Sequence, residues 1–128
     1  AIAALSALPD GDRLLHGDFH PGNVISTVLG PVVIDWANAS TGDPAADVAR
    51  TLMQLRLGEL PPDSPRLLVL AAKVGRRVLI GRYLSAYRRS RPLDETMVQR
   101  WMLPVAVHRL SEDITEERGR LLAFIATL

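Results

Sequence analysis

Apolar positions along the chain have two textures. Up to residue 35 they come in short runs broken by Gly, Pro and Asn; from residue 36 onward they recur at helical spacing in long stretches rich in Leu, Ala and Arg. Ala1–Leu8 has the character of a short helix, closed by the turn-forming Pro9-Asp10-Gly11-Asp12. Arg13–His16 reads as a brief strand. Val24–Leu29 and Val32–Ile34 are β-branched runs joined at Gly30-Pro31, the pattern of a small hairpin. Strands so few and short make no free-standing sheet, so they must lie on helices.

The second texture predicts four helices. Asp43-Pro44 starts the first: an Asp N-cap accepts an orphan N–H, and Pro at the first helical position sacrifices no hydrogen bond. Val48, Leu52 and Leu55 then recur at i, i+4 and i+7, which defines one buried face, and Gly58 with Pro61-Pro62 ends the helix. A second helix starts at Asp63 or Ser64 and runs to about Arg89, weakened in its middle by Gly75 and Gly81. Asp94 starts a third, which Pro104 is expected to kink or break. The fourth runs from about Glu112 to Ala126. The expected fold class is mainly α (α+β), a helical bundle with a small β-hairpin, in a single domain spanning 1–128.

Composition narrows the function classes. With 48% hydrophobic and 23% charged residues the chain has the ordinary mixture of a globular protein. Fifteen cations against fourteen acids leave a net charge of +1, so overall balance predicts neither a polyanionic nor a membrane partner. The absence of cysteine excludes disulfides and thiolate metal sites. No apolar stretch approaches the ~20 residues that span a bilayer, and the opening AIAALSALP has no basic n-region. The expected location is cytoplasmic. That opening also lacks a start methionine, which points to a piece of a longer chain.

The candidate chemistry is concentrated in His16-Gly17-Asp18-Phe19-His20-Pro21-Gly22-Asn23, followed twelve residues later by Asp35-Trp36. A carboxylate on a loop after a strand can take the proton of a hydroxyl nucleophile. An Asn five residues on, across a Pro-Gly turn, can return its amide oxygen to the same pocket. Asp35 ends the apolar run Val32-Val33-Ile34, where burial on both sides would direct it. Amide and carboxylate oxygens together suit a hard cation such as Mg²⁺, which takes its remaining ligands from water and phosphates. One base and two magnesium ligands are the protein-side equipment of phosphoryl transfer. A zinc hydrolase built on His16 and His20 (H-x₃-H) is a poorer match, because the pair lies on a loop and a third ligand is not evident.

HGDFHPGN resembles the catalytic loop of the aminoglycoside phosphotransferase and choline kinase group, itself similar in layout to the protein-kinase H-R-D-x-x-x-x-N loop. VVIDW is similar to that group's metal-binding strand end, and Gly42-Asp43-Pro44-Ala45-Ala46-Asp47 to the G-D-P-x-x-D that opens its next helix. The specific motifs cover about residues 13–57. Fixing H, G, D, H and N at set spacing has a chance probability of roughly 10⁻⁵ in a chain this long at average residue usage. The resemblance implies the C-terminal lobe of a protein-kinase-like fold, with a catalytic loop at 16–23, a metal loop at 35–37 and a helical substrate subdomain at about 44–128. It implies an ATP- or GTP-dependent phosphotransferase acting on a hydroxyl of a small molecule. Asp18 would be the catalytic base; His20 would approach the transferred group; Asn23 and Asp35 would hold Mg²⁺ against the nucleotide phosphates. His16 would be a packed structural residue, Asp43 a helix cap, and Asp47 a brace for the loop's backbone N–H groups. Trp36 would pack in the core beside the metal loop. Gly17 stands where protein kinases carry Arg, so control by a phosphorylated activation loop is not expected.

The group's N-terminal lobe, with its strand Lys and helix Glu, is not matched: the sole lysine is Lys73, downstream on a helix, and no G-x-G-x-x-G or Walker A loop occurs. The expectation is a C-terminal lobe that needs its partner lobe to turn over. Such a lobe would expose apolar surface, which leaves room for a homodimer. Two charge clusters remain. Ser64 to Leu93 holds eight cations and no acid, and Arg66, Lys73, Arg77, Arg88 and Arg91 fall within about 60° of one helix face. That stripe reads first as a solvated face, and second as contact with an acidic or polyanionic partner. Glu112, Asp113, Glu116 and Glu117 fit the first turn of a helix beside its positive dipole end; in the resembled group such acids recognise cationic aminoglycosides, and that acceptor would imply antibiotic resistance. Other hydroxyl acceptors (an amino alcohol, a sugar, a macrolide) stay open. The rival from another class is a non-catalytic binding module derived from the lobe.

Overall fold

The computed structural model describes residues 5–58, 63–112 and 115–128, without the side chains of Thr115 and Glu116. The first half of the expected opening helix therefore falls outside the described residues. Strand β1 (Arg13–Leu15) leads into the loop 16–20 and a 3₁₀ turn at Pro21–Asn23; β2 (Val24–Thr27), β3 (Gly30–Val33) and β4 (Ser40–Gly42) follow. Four helices complete the described chain: α1 (Pro44–Leu57), α2 (Arg66–Ser90), α3 (Glu95–Ser111) and α4 (Thr115–Ile125).

The strands form two antiparallel pairs rather than one sheet. β2 pairs with β3 in the register Val24↔Val33 to Thr27↔Gly30, so the tight turn is Val28-Leu29 and not the expected Gly30-Pro31. Gly30, at φ 114°, enters β3 directly after that turn, in a conformation that only glycine adopts without strain. β1 pairs with β4 (Arg13↔Gly42, Leu15↔Ser40), a pairing that the polar Ser40-Thr41-Gly42 does not announce. The expected double-sided burial of the Val32–Ile34 run is not found: Val32 is 45% and Ile34 37% exposed. A two-stranded ribbon has only one face to lay on helices, so its alternate residues remain wet.

Asp43 caps α1 by accepting from the Ala45 N–H at 2.9 Å, with Pro44 in the first turn. The helix buries Val48, Ala49, Leu52 and Met53 against Val98, Met102, Val105 and Ala106 of α3, and Leu121 of α4 closes the core. Asp94 caps α3, accepting from the N–H groups of Thr96 and Met97. α3 continues through Pro104 without a break. The lost backbone hydrogen bond is outweighed by the apolar burial on either side of it, Met102, Val105 and Ala106 being almost wholly enclosed. Glu112 lies just past the end of α3 rather than in the first turn of α4, because α3 extends to Ser111.

α2 differs from the others. It starts after Pro65 without a side-chain cap and buries none of its 25 residues fully. Gly75 and Gly81 leave it continuous. Ile80, Tyr83, Leu84 and Tyr87 pack partly against the core, whereas Leu67, Leu70, Val74 and Val78 stand more than half exposed.

Candidate active site

β1 ends at Leu15 and delivers His16, which is buried, to the underside of the loop. Two hydrogen bonds fix the His16 ring. Its Nδ1 accepts from the Asp18 N–H at 3.2 Å, so Nε2 carries the proton and donates to the Ile34 carbonyl at 2.9 Å. Phe19 meets the ring edge-on, and Trp36 lies 4.5 Å from it, centroid to centroid. Trp36 is itself 47% exposed and donates its Nε1–H to the Val33 carbonyl, so the expected core position is corrected to a half-open one.

Gly17 has φ 76°, and a Cβ there would lie 2.3 Å from the carbonyl oxygen of Asn38. Only glycine fits, for both reasons. The backbone N–H groups of His16 and Gly17 both donate to the Asp47 carboxylate, at 3.0 and 2.8 Å. Asp47 reaches them from the first turn of α1, so the helix that builds the core also holds the loop. Asp43 uses its second oxygen to accept from Trp101 Nε1–H at 3.0 Å, tying the start of α1 to α3.

Asp18 sits at the centre of the polar contacts. Asn23, buried at the end of the 3₁₀ turn, donates from Nδ2 to the Asp18 carbonyl at 2.9 Å and to its carboxylate at 3.3 Å. Gln54 of α1 donates from Nε2 to the other carboxylate oxygen. The Arg50 guanidinium lies 4.0 Å from that oxygen, and His20 Nε2 lies 3.7 Å from its neighbour. His20 is partly exposed, with Nδ1 accepting from the Gly22 N–H at 3.0 Å. Arg50 and Gln54 are the residues that sequence reasoning missed. Their signal was available: Asp47, Arg50 and Gln54 stand at i, i+3 and i+7, one face of the helix opened by the G-D-P-x-x-D motif.

Asp35 stands one residue beyond Ile34, whose N–H donates to the Asn23 carbonyl at 2.9 Å and whose carbonyl accepts from His16. The backbone leading into Asp35 is thus stitched to both ends of the 16–23 loop. Asp35 itself is exposed and has φ 61°, a left-handed conformation that Asp tolerates at a cost of order 1 kcal/mol. Among the described residues no three His, Cys, Asp or Glu side chains cluster to hold a metal by themselves. The donor chemistry nevertheless fits a hard cation that brings its own phosphate ligands. Asn23 spends its N–H groups on Asp18 and keeps Oδ1 as an acceptor, and Asp35 offers an exposed carboxylate.

The acid cluster is distributed differently from its linear order. Glu112 accepts from Arg50 and from Arg109, each at 2.7 Å, and Glu117 receives two hydrogen bonds from Arg109. Burial alone pushes the Glu112 carboxyl up, but the hydrogen bonds and charges of Arg50 and Arg109 outweigh it and hold the group below its usual value. The Glu117 hydrogen bonds raise the Arg109 guanidinium in turn. Helix-dipole placement does not account for Glu112; arginine pairing does. Asp113 and the Glu116 side chain lie outside the described residues. A cavity of about 440 Å³ opens beside Asp18 and His20, walled by Gln54, Arg109, Glu117 and Arg120. A larger one of about 730 Å³ is lined by Asp47, Arg50, Glu112 and the Ala37–Gly42 segment.

With the loop geometry in view, comparison with known families is decisive: the phosphotransferase enzyme family (APH) matches residues 1–93, from before β1 to the end of α2. The chain belongs to that family. No curated protein and no solved structure matches it. Within the matched stretch this APH-family chain carries the HGDFHPGN loop, the VVIDW strand end and the GDPAAD helix opening in order, whereas α3 and α4 follow beyond it. No helix among the described residues is long and apolar enough to cross a membrane.

Proposed function

We propose that this chain carries the catalytic-loop lobe of a small-molecule kinase, which moves the γ-phosphoryl group of ATP or GTP to a hydroxyl of its acceptor. The observation that carries this reading is the Asp18 carboxylate, held by the amides of Asn23 and Gln54 at the wall of a cavity open to a small molecule. An acceptor hydroxyl lodged there gives its proton to Asp18 while its oxygen bonds the γ-phosphorus. The bond from that phosphorus to the β-bridging oxygen breaks, and the nucleoside diphosphate leaves. Transfer is direct and in line, with no covalent enzyme intermediate.

Asn23 and Asp35 would hold Mg²⁺, which when bound neutralises phosphate charge. Asp47 keeps the loop N–H groups satisfied, so the loop holds its shape as the acceptor arrives. His20, 3.7 Å from Asp18, is placed to steady the carboxylate or the phosphoryl group passing it. Asp18→Asn, in the protein expressed from its whole gene, removes the base while conserving shape. Turnover with magnesium ATP should fall by about 10³-fold or more with an unchanged circular dichroism spectrum; retained turnover removes the assignment.

A further inference from the structure

The Arg50 guanidinium stands between two carboxylates and bonds only one of them. Arg50 is 7% exposed, and its Nη2 donates to Glu112 Oε1 at 2.7 Å. The same nitrogen lies 4.0 Å from Asp18 Oδ1, about 1 Å beyond hydrogen-bond reach. Arg50 Nη1 lies 3.3 Å from His108 Nδ1. Its Nε, like Gln54 Oε1, is buried with no hydrogen-bond partner among the described residues, so the guanidinium keeps an unused donor. Glu112 is fixed from a second side by Arg109 Nη1 at 2.7 Å, and Arg109 Nε is held by Glu117 of α4 at 2.9 Å. Glu112 thus draws its grip on Arg50 from α3 and α4, beyond the stretch that the family model matches. On the other side, Asp18 Oδ1 accepts from the Gln54 amide and Oδ2 from the Asn23 amide. Each carboxylate oxygen has two lone-pair sites, so a site on each is open to a further donor.

Resting on the kinase reading, we infer that Glu112 is a positioning residue: it holds the Arg50 guanidinium short of Asp18 and so keeps a lone pair of the base open to the acceptor hydroxyl. Glu112 acts through Arg50 and touches neither acceptor nor phosphate. Arg50 ties α1 to the end of α3 through this pair, and the pairing keeps that tie from closing the base. A buried arginine that loses its counter-ion is left with an uncompensated charge, which is strongly unfavourable. The other carboxylate within 4.0 Å of Arg50 is that of Asp18. Without Glu112 the guanidinium therefore moves onto Asp18, where a charge-assisted hydrogen bond outcompetes a neutral hydroxyl. The acceptor then finds its place at the base taken.

The test uses the protein expressed from its whole gene. Turnover is followed with magnesium ATP and an acceptor panel of kanamycin, choline, glucose and erythromycin. Glu112→Gln should lower kcat by about 10-fold or more and leave the KM for ATP within about three-fold of wild type. Arg50→Met added to Glu112→Gln takes the intruding guanidinium away, so the double variant should turn over about five-fold faster than Glu112→Gln alone. A merely structural Glu112 predicts the opposite order, since a second buried substitution adds damage. Thermal unfolding supplies a readout without an acceptor. Asp18→Asn should lower the midpoint by about 4 °C more in the Glu112→Gln background than in wild type, because Asp18 has there become the counter-ion of Arg50. Glu112→Asp, one methylene shorter, loosens the same pair and should move every reading in the same direction by less; it serves if the Gln variant does not fold. A double variant no faster than Glu112→Gln, or additive midpoints, overturns the inference and leaves the phosphotransferase reading standing. Absence of phosphorylation by wild type across the whole panel overturns both.

Discussion

α1 and α2 are neighbours in sequence and opposites in use. α1 is fourteen residues long and has two working faces: Val48, Ala49, Leu52 and Met53 enter the core, while Asp47, Arg50 and Gln54 reach the loop that carries Asp18. α2 is almost twice as long and buries none of its residues fully. Its cations Arg66, Lys73 and Arg77 are exposed, Arg76 reaches the carbonyls of Arg56 and Gly58, and Arg88 pairs with Glu95. Helix length and charge density therefore say little about importance. What separates the two helices is where their polar side chains reach: Asp47 of α1 accepts two N–H groups of the loop that carries Asp18, whereas Arg76 of α2 meets only carbonyls at the end of α1.

Substitutions on the two helices and on the core between them turn this contrast into measurements. The largest effect is expected at Met102, wholly enclosed between α1 and α3: Met102→Ala should cost about 2–5 kcal/mol in urea or thermal unfolding. Asp47→Ala is of comparable size. Two N–H groups lose their acceptor, at ~1–3 kcal/mol each, and turnover should fall along with stability; a variant that melts like wild type would show that the brace is dispensable.

The arginine-held carboxylate gives a pH test. Because Glu112 titrates lower in the folded protein than in the unfolded chain, its contribution is present above the ordinary Glu range and is lost as pH falls through the folded value. Glu112→Gln should flatten the fall in stability below about pH 4.5. Tyr83, stacked on Phe19 and pushed up to about 12 by burial, works at the opposite end. Its contribution should be intact below pH ~10 and vanish as pH rises through about 12, and alkaline melts of Tyr83→Phe would lack that component. The smallest effect belongs to the outer face of α2, where Val74→Ser should change stability by no more than about 0.5 kcal/mol. A large loss there would mean that α2 is more than a partly docked arm.

Much of the fold was legible because its signals are local. Asp43-Pro44 and Asp94 cap helices by reaching N–H groups two or three residues away, so sequence spacing alone reveals them. The hairpin was legible too, but its turn was misplaced: Gly30 looks like a turn residue and instead begins β3. β4 left no trace, since Ser40–Gly42 becomes a strand only by meeting β1 some twenty-seven residues earlier. Pro104 misled in the other direction, its local penalty being overridden by burial that no local window contains. At the candidate site, Asp18 and Asn23 stand within hydrogen-bond reach across five residues, and Asp35 is tied beside them only through Ile34. The acids near residue 112 showed the limit of linear reading, because their partners Arg50 and Arg109 lie on two different helices.

The amino-acid order by itself determined the loop motif, the starts of α1 and α3 and the membership in a phosphotransferase family, because each rests on residue types at short, fixed spacing. Tertiary structure alone decided which acids were neutralised, which arginine approached Asp18 and which atom of Gln54 was left without a partner. Those outcomes depend on side chains from separate helices meeting in space, and the energy of a meeting depends on burial and geometry that spacing does not encode.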